Sequence, residues 1–300
     1  MNTRFAPSPT GPLHLGHVAA MIYVWGLAGR CDARVDVRIE DHDRQRCRPQ
    51  FIDDLREELE WLGFFPRNGG QWSRQTEHDE RFQQTLARLR EQGFVYACRC
   101  SRKDAISDPG SLERRYPGTC RKLRLPETPG TALRLRLPEE EVRFYDARHG
   151  WQTQRPAGQC GDFVIRDRHG QWTYQFAVVV DDLFEDFNWI IRGDDLLAST
   201  GRQLILARLL GRRAPLCFYH HPLILSAEGT KLSKRDLAAP IKTLREQGMT
   251  AAEVIGQAAF RCGLMAEPCP VPADAVDRLF SQLTADELWR YSYEFTNRPM

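Results

Sequence analysis

The chain has no run of about 18 apolar residues, so it offers no candidate membrane helix. A signal peptide is also missing from its start, where Arg4 is followed by polar residues and prolines rather than an apolar stretch. These two absences predict a cytoplasmic protein. Paired C-x-x-C motifs do not occur, and the nine cysteines are odd in number and scattered over 300 residues. That pattern predicts reduced thiols, with room for one metal cluster, rather than a disulfide framework. No G-x-x-x-x-G-K-[ST] sequence and no Ser-His-Asp set in a recognisable context is found, which argues against a P-loop enzyme and an acyl-enzyme hydrolase. Internal repeats and low-complexity segments are absent too. Net charge is only +2, from 42 Lys and Arg against 40 Asp and Glu, so the total charge diagnoses no nucleic-acid partner.

What remains is an ordinary globular composition, 42% hydrophobic and 27% charged, long enough for a sizeable core. The most informative stretch runs from Arg4 to His17, R-F-A-P-S-P-T-G-P-L-H-L-G-H, directly before the apolar segment Val18 to Leu27. It reads as a strand end, a stiff loop and a helix start. Pro7, Pro9 and Pro12 fix three φ angles and remove three donors, while Gly11 and Gly16 permit close backbone approach. His14 and His17 lie three apart, near the positive end of the expected helix, where a phosphate is favoured. Taken in isolation, H-x-x-H is more often two histidines that merely cap the helix.

Downstream, Arg34 to Glu40 alternates polar and apolar residues as a strand does, and breaks into Asp41-His42-Asp43-Arg44. Pro49 opens a helix with Phe51, Ile52, Leu55, Leu59 and Leu62 on one face and Gly63 as its stop. Phe82, Leu86 and Leu89 mark another helix, closed by Gly93. From Cys98 to about Arg168 the chain turns rich in Arg and Pro with short alternating runs, which predicts a small β-rich insertion. Residues 98 to 124 hold eight Lys or Arg against three Asp or Glu, a place where a polyanion could dock. Helical and strand signals return at Tyr174 to Val180, Asn188 to Arg192, Leu204 to Leu209 and Cys217 to His220. Beyond Asp236 the reading is mainly helical, with capping-box spacings at Thr250/Glu253 and Thr284/Glu287 and a frayed end from Thr296.

The stretch R-F-A-P-S-P-T-G with H-L-G-H resembles the signature of glutamyl-type class I aminoacyl-tRNA synthetases. K-L-S-K-R at Lys231 to Arg235 resembles the second ATP motif of that family, with Leu232 where Met usually stands and Arg235 replacing the final Ser. The resemblance implies a Rossmann-like, doubly wound parallel sheet split by a small zinc-containing insertion and followed by a mainly helical region. Its parts would be 1–97 and 171–225 for the two halves of the nucleotide-binding domain, 98–170 for the insertion and 226–300 for the rest. It further implies that Arg4, Phe5, Ala6, Pro7, Ser8, Glu40, Tyr174 and Arg192 surround glutamate. His14, Gly16, His17, Lys231 and Lys234 would hold ATP together with Mg²⁺, and His14, His17 and Lys234 would be catalytic, with Gly229 a hinge of the closing loop. These types suit the chemistry: an Arg fork matches a carboxylate, Glu40 can accept an ammonium, and lysines can offset phosphate charge.

Cys98, Cys100 and Cys120 suit a closed structural Zn²⁺ site. By ligand chemistry alone His149 and Cys160 are both available as the fourth group; the family pattern, C-x-C followed by Y-x-x-x-C, points instead to Tyr116. That pattern, and a length with no room for an anticodon-binding region, resemble the short branch of the family, which transfers glutamate to the queuosine base of tRNA(Asp). The expected partners are therefore L-glutamate, ATP and queuosine-containing tRNA(Asp), acting on a monomer. A shortened enzyme charging the 3′ end of tRNA(Glu) or tRNA(Gln), and a non-catalytic tRNA-binding relative, are the alternatives.

Overall fold

The computed structural model describes residues 1–107, 113–224, 239–288 and 293–295. In chain order the first half comprises β1 (Asn2–Phe5), α1 (Leu15–Arg30), β2 (Arg34–Ile39), α2 (Pro49–Leu62), β3 (Trp72–Arg74) and α3 (Asp79–Glu91). Then come β4 (Val95–Cys98), β5 (Ile106–Ser107), β6 (Arg114–Arg115), β7 (Ala132–Leu135), β8 (Val142–Asp146), β9 (Gly150–Gln154), α4 (Pro156–Gln159) and β10 (Val164–Arg166). The second half has α5 (Tyr174–Phe184), β11 (Trp189–Gly193), α6 (Thr200–Leu209) and β12 (Cys217–His221), followed by α7 (Ile241–Glu246), α8 (Ala251–Arg261), a 3₁₀ turn (Ala273–Phe280), α9 (Ala285–Leu288) and β13 (Tyr293–Phe295).

Strands β1, β2 and β3 pair in parallel in that order, and β11, β12 and β8 form a second parallel set. Asn2 and Asn188 join the starts of β1 and β11: the Asn188 amide donates to the Asn2 carbonyl at 3.3 Å, and the Asn2 amide to the Asn188 side chain at 3.1 Å. Two βαβ-type halves thus meet at β1 and β11, and the crevice outside their carboxyl ends is where such sheets bind ligands. The connecting segment is β-rich, as the sequence predicts: β4, β7 and β10 form an antiparallel sheet. The β8–β9 hairpin, however, leaves that sheet and joins β12, while β13 returns from the far end of the chain to pair with β8. That last strand lies in a region read as helical.

Helix α1 is apolar nearly all round and is buried accordingly, between β1, β2 and β11 on one side and α8 with the 3₁₀ turn on the other. Gly26 allows this approach, since a Cβ there would stand 2.3 Å from the Phe280 ring. Helix α2 is amphipathic, buries Ile52, Leu55, Leu59 and Leu62, and stops at Gly63, whose φ of 85° suits glycine alone. Both predicted capping boxes form, Thr250 with Glu253 and Thr284 with Glu287. A second core cluster gathers α3, α5 and α6 with the insertion sheet. No helix among the described residues is long and apolar enough to cross a membrane.

Candidate active site

The crevice is built from the strand ends inward. β1 ends at Phe5, whose side chain turns into the core against Trp25, with ring centroids 5.6 Å apart, so at the crevice it offers only backbone. Pro7 is buried and its carbonyl accepts from the Glu40 amide at 2.9 Å, which fastens the opening loop to the end of β2. Ala6 is half-buried and Ser8 exposed.

Arg4 and Glu40 are both buried, and neither stands alone. Arg4 forks onto Asp182 of α5, with Nε to Oδ1 at 2.8 Å and Nη2 to Oδ2 at 3.0 Å. Arg38, fully buried on β2, reaches Glu40 at 3.1 Å, Asp182 at 2.8 Å and Glu185 at 3.0 Å. Burial opposes ionisation of Asp182, yet Arg4 and Arg38 hold its carboxyl below the ordinary value. For Glu40 burial wins and pushes the carboxyl above the ordinary carboxylate value, against the pull of Arg38, His42 and Arg4. Two arginines and three acids so close in a dry site need each other, because removing one partner leaves an uncompensated buried charge worth about 3–5 kcal/mol.

Arg192, at the end of β11, completes the ring. Its Nε donates to His220 Nε2 at 3.0 Å, Nη1 to Gln203 Oε1 at 2.5 Å and Nη2 to Thr200 Oγ1 at 2.9 Å. A guanidinium has no acceptor, so His220 Nε2 must accept and its proton must sit on Nδ1, which donates to Asp146 at 2.7 Å. Burial pulls His220 down to about 4, so this imidazole is neutral at pH 7. Tyr174, at the start of α5, lies within the electrostatic reach of Arg192, and burial with the field of Glu40 pushes its hydroxyl up to about 12. Arg4, Glu40, Tyr174 and Arg192, predicted from separate segments, therefore share one buried cluster. Sequence reasoning missed Arg38, Asp182, Thr200, Gln203 and His220; the readable sign for Asp182 was a charged pair, Asp181-Asp182, inside the apolar run of α5.

The H-x-x-H stretch opens α1 by a reciprocal cap. His14 is the N-cap residue; its Nδ1 accepts from the Gly16 amide at 3.1 Å, while His17 Nδ1 accepts from the His14 amide at 3.1 Å. With both Nδ1 atoms accepting, each neutral ring carries its proton on Nε2. Burial lowers both, His17 to about 3 with further help from His14, so neither is a cation at neutral pH. The pair offers N–H donors at the positive end of a long helix, which suits phosphate oxygens. Lys231, Lys234 and Gly229 lie outside the described residues.

In the insertion, Cys98, Cys100 and Cys120 bring their sulfurs within 4.8 Å of one another, an arrangement able to hold a metal ion. Cys100 and Cys120 sulfurs are 3.6 Å apart, and the Tyr116 hydroxyl is 3.4 Å from Cys98 Sγ. His149 is engaged elsewhere, with Nε2 2.7 Å from Asp194, and Cys160 Sγ donates to the carbonyls of Pro156 and Gly161.

Parallel strands in an α/β arrangement, a donor-rich helix start after the first strand and a cluster of buried charges at the strand ends are features that suit a nucleotide and a small charged substrate. The comparisons narrow this reading. Residues 1–267 match the family described as tRNA synthetases class I (E and Q), catalytic domain. A glutamyl-Q tRNA(Asp) synthetase of Symbiobacterium thermophilum is 40% identical over 296 residues, covering 92% of this chain and 91% of that one. Its counterpart from Geobacter sulfurreducens is 41% identical over 266 residues, 85% of this chain and 84% of that one. Among solved structures, a glutamate tRNA ligase from Elizabethkingia meningosepticum in complex with its amino acid aligns with a TM-score of 0.74 at 26% identity. That match covers 92% of this chain and spans 64% of the ligase. The chain belongs to the class I tRNA synthetases of the E and Q type and, within them, to the family of the glutamyl-Q tRNA(Asp) synthetases.

Proposed function

We propose that the protein activates L-glutamate with ATP and transfers it to the queuosine base of tRNA(Asp). The observation that carries this reading is the buried cluster of Arg4, Glu40, Tyr174 and Arg192 beside the histidine-capped start of α1. In the first step a glutamate carboxylate oxygen attacks the α-phosphorus of ATP and pyrophosphate leaves. In the second a queuosine hydroxyl attacks the activated carbonyl, AMP leaves, and the hydroxyl proton is released. Neither step needs an enzyme nucleophile, so catalysis is positioning and charge stabilisation.

In this reading the arginines and Tyr174 hold the glutamate carboxylates and Glu40 takes the ammonium. His14 and His17 donate from Nε2 to ATP phosphates, with Gly16 keeping the backbone close. Because both rings are neutral, positive charge must come from elsewhere, and Lys231, Lys234 and a bound Mg²⁺ are the natural sources. Lys234 is the better candidate for the charge developing in the transition state.

Zn²⁺ fits the cysteine cluster. A tetrahedron of thiolates about 2.3 Å from zinc has sulfur–sulfur edges of roughly 3.8 Å, close to the 3.6 Å between Cys100 and Cys120. Tyr116, whose hydroxyl lies 3.4 Å from Cys98 Sγ, would take the fourth corner, as the family pattern implies. Arg134 stacks on its ring at 3.6 Å and donates to Cys98 Sγ at 3.1 Å, offsetting the charge of three thiolates. The site would be structural, holding the insertion in shape. A monomer acting in the cytoplasm completes the reading.

The test is to incubate the protein with labelled glutamate, ATP and tRNA(Asp) with and without queuosine. Label should enter only the queuosine-containing tRNA. Label at the 3′ end of queuosine-lacking tRNA(Asp), tRNA(Glu) or tRNA(Gln) overturns the reading.

A further inference from the structure

The loop from β2 to α2 carries Arg44, Arg46 and Arg48 at alternate positions, all exposed. None of the three forms a salt bridge among the described residues. Of the two aspartates in the loop, Asp41 is taken up by Arg74 and Thr76, and Asp43 uses its carboxylate to accept from the amides of Gln45 at 3.2 Å and Arg46 at 3.3 Å. Those bonds, with the Cys47 amide donating to the Asp43 carbonyl at 2.9 Å, give the loop a set shape. The shape folds back on the glutamate site, because the Cys47 thiol reaches the Glu40 carbonyl at 3.8 Å.

The same loop ends at the positive pole of a helix. Arg48 is the N-cap residue of α2, makes no side-chain cap, and the first turn contains no acid. A helix of 14 residues normally starts on Ser, Asp or Asn and gathers acids in its first turn, since these offset its free amides and dipole. Here a cation stands at the N-cap and two more precede it in the loop, with no acid in the first turn to offset them, a choice that does nothing for the helix itself. It is accounted for by an anion arriving from outside, for which both the guanidinium groups and the open helix start are suited. The other basic stretch is partly spoken for: Arg121 pairs with Asp162 at 2.9 Å, and Arg114 donates to the Ala105 carbonyl at 2.7 Å.

We propose that Arg44, Arg46, Arg48 and the first turn of α2 bind the sugar-phosphate backbone of the RNA loop whose base accepts glutamate. The inference rests on the proposed function and names the surface that seats the acceptor beside the site. Its test is the variant Arg44→Gln/Arg46→Gln/Arg48→Gln in the full chain, set against Lys122→Gln/Arg124→Gln from the exposed part of the other basic stretch. Glutamate-dependent ATP–pyrophosphate exchange should stay within about twofold of wild type, whereas KM for queuosine-containing tRNA(Asp) should rise about tenfold or more. The slope of log kcat/KM against log salt should flatten by roughly 2, three single-strand phosphate contacts at about 0.7 each. Removing cations from a helix N-terminus relieves strain, so the melting temperature should hold or rise, which separates lost binding from lost fold.

An unchanged KM and salt slope overturn the proposal, as does a larger effect from Lys122 and Arg124. Loss of pyrophosphate exchange together with transfer also overturns it, because the arginines would then act on activation. If wild type itself fails to transfer glutamate to this tRNA, the functional reading falls and takes the proposal with it.

Discussion

Replacing His220 with phenylalanine keeps the ring volume at a fully buried position stacked beside Phe218 but removes the acceptor that faces Arg192 Nε at 3.0 Å. A buried guanidinium N–H then has no partner at that position, and among the described residues Arg192 keeps Gln203, Thr200 and a longer contact to the Leu196 carbonyl. A hydrogen bond to a charged group contributes about 1.5–3 kcal/mol, so kcat/KM for glutamate should fall roughly 10- to 150-fold. The matching control is His220→Gln, whose carbonyl oxygen can accept where Nε2 did although it cannot donate to Asp146. The assay is glutamate-dependent ATP–pyrophosphate exchange without tRNA, with glutamate and ATP varied separately. The expected result is a loss confined to glutamate in H220F and substantially recovered in H220Q. Wild-type kcat/KM in H220F, or equal damage in both variants, would refute the reasoning.

Three further outcomes follow from other parts of the molecule. Burial pushes the Glu58 carboxyl up to about 7, and one of its buried oxygens has no hydrogen-bond partner among the described residues. The native state thus keeps a proton that the unfolded chain, titrating near 4.5, has already lost, so stability falls as pH rises from about 4.5 to 7 and then levels. Thermal melts between pH 5 and 8 should show this decline, about 1–3 kcal/mol, and Glu58→Gln should flatten it; parallel curves for the two proteins would exclude the effect. Metal analysis of protein purified without added zinc should find one zinc per chain and clearly less after Cys98→Ser; a metal-free wild type removes the cluster. Lys234→Ala should lower kcat of pyrophosphate exchange by about 10²–10³ while leaving KM for glutamate nearly unchanged, and a purely KM effect would assign the lysine to ground-state binding instead.

The elements whose causes are local were readable in the sequence. Proline-stiffened residues 7 to 12 and the H-x-x-H spacing placed the start of α1, Pro49 and Gly63 bracketed α2, and Thr250 with Glu253 marked the start of α8, because capping and turn chemistry act over three or four residues. What the pattern could not supply were partners brought together from afar. Arg4 meets Asp182, 178 positions away, and His220 meets Asp146, 74 away; each contact follows from the sheet's topology. The β8–β9 hairpin was similarly opaque, since alternation announces a strand without saying which sheet it joins. The roles of the histidines shifted too: a phosphate site and a helix cap had been competing readings, and the geometry accommodates both on different ring atoms.

That last point has a wider consequence. Each imidazole at the start of α1 gives its Nδ1 to the backbone and leaves Nε2 outside that cap, so under the proposed function one side chain serves two requirements. Asparagine can imitate the inner nitrogen and glutamine the outer one, but neither imitates both. Under that reading either substitution gives up the helix cap or the Nε2 donor in a single step. Asparagine and glutamine variants at His14 and His17 can therefore pull apart, in the laboratory, the two roles that the proposed function assigns to one ring.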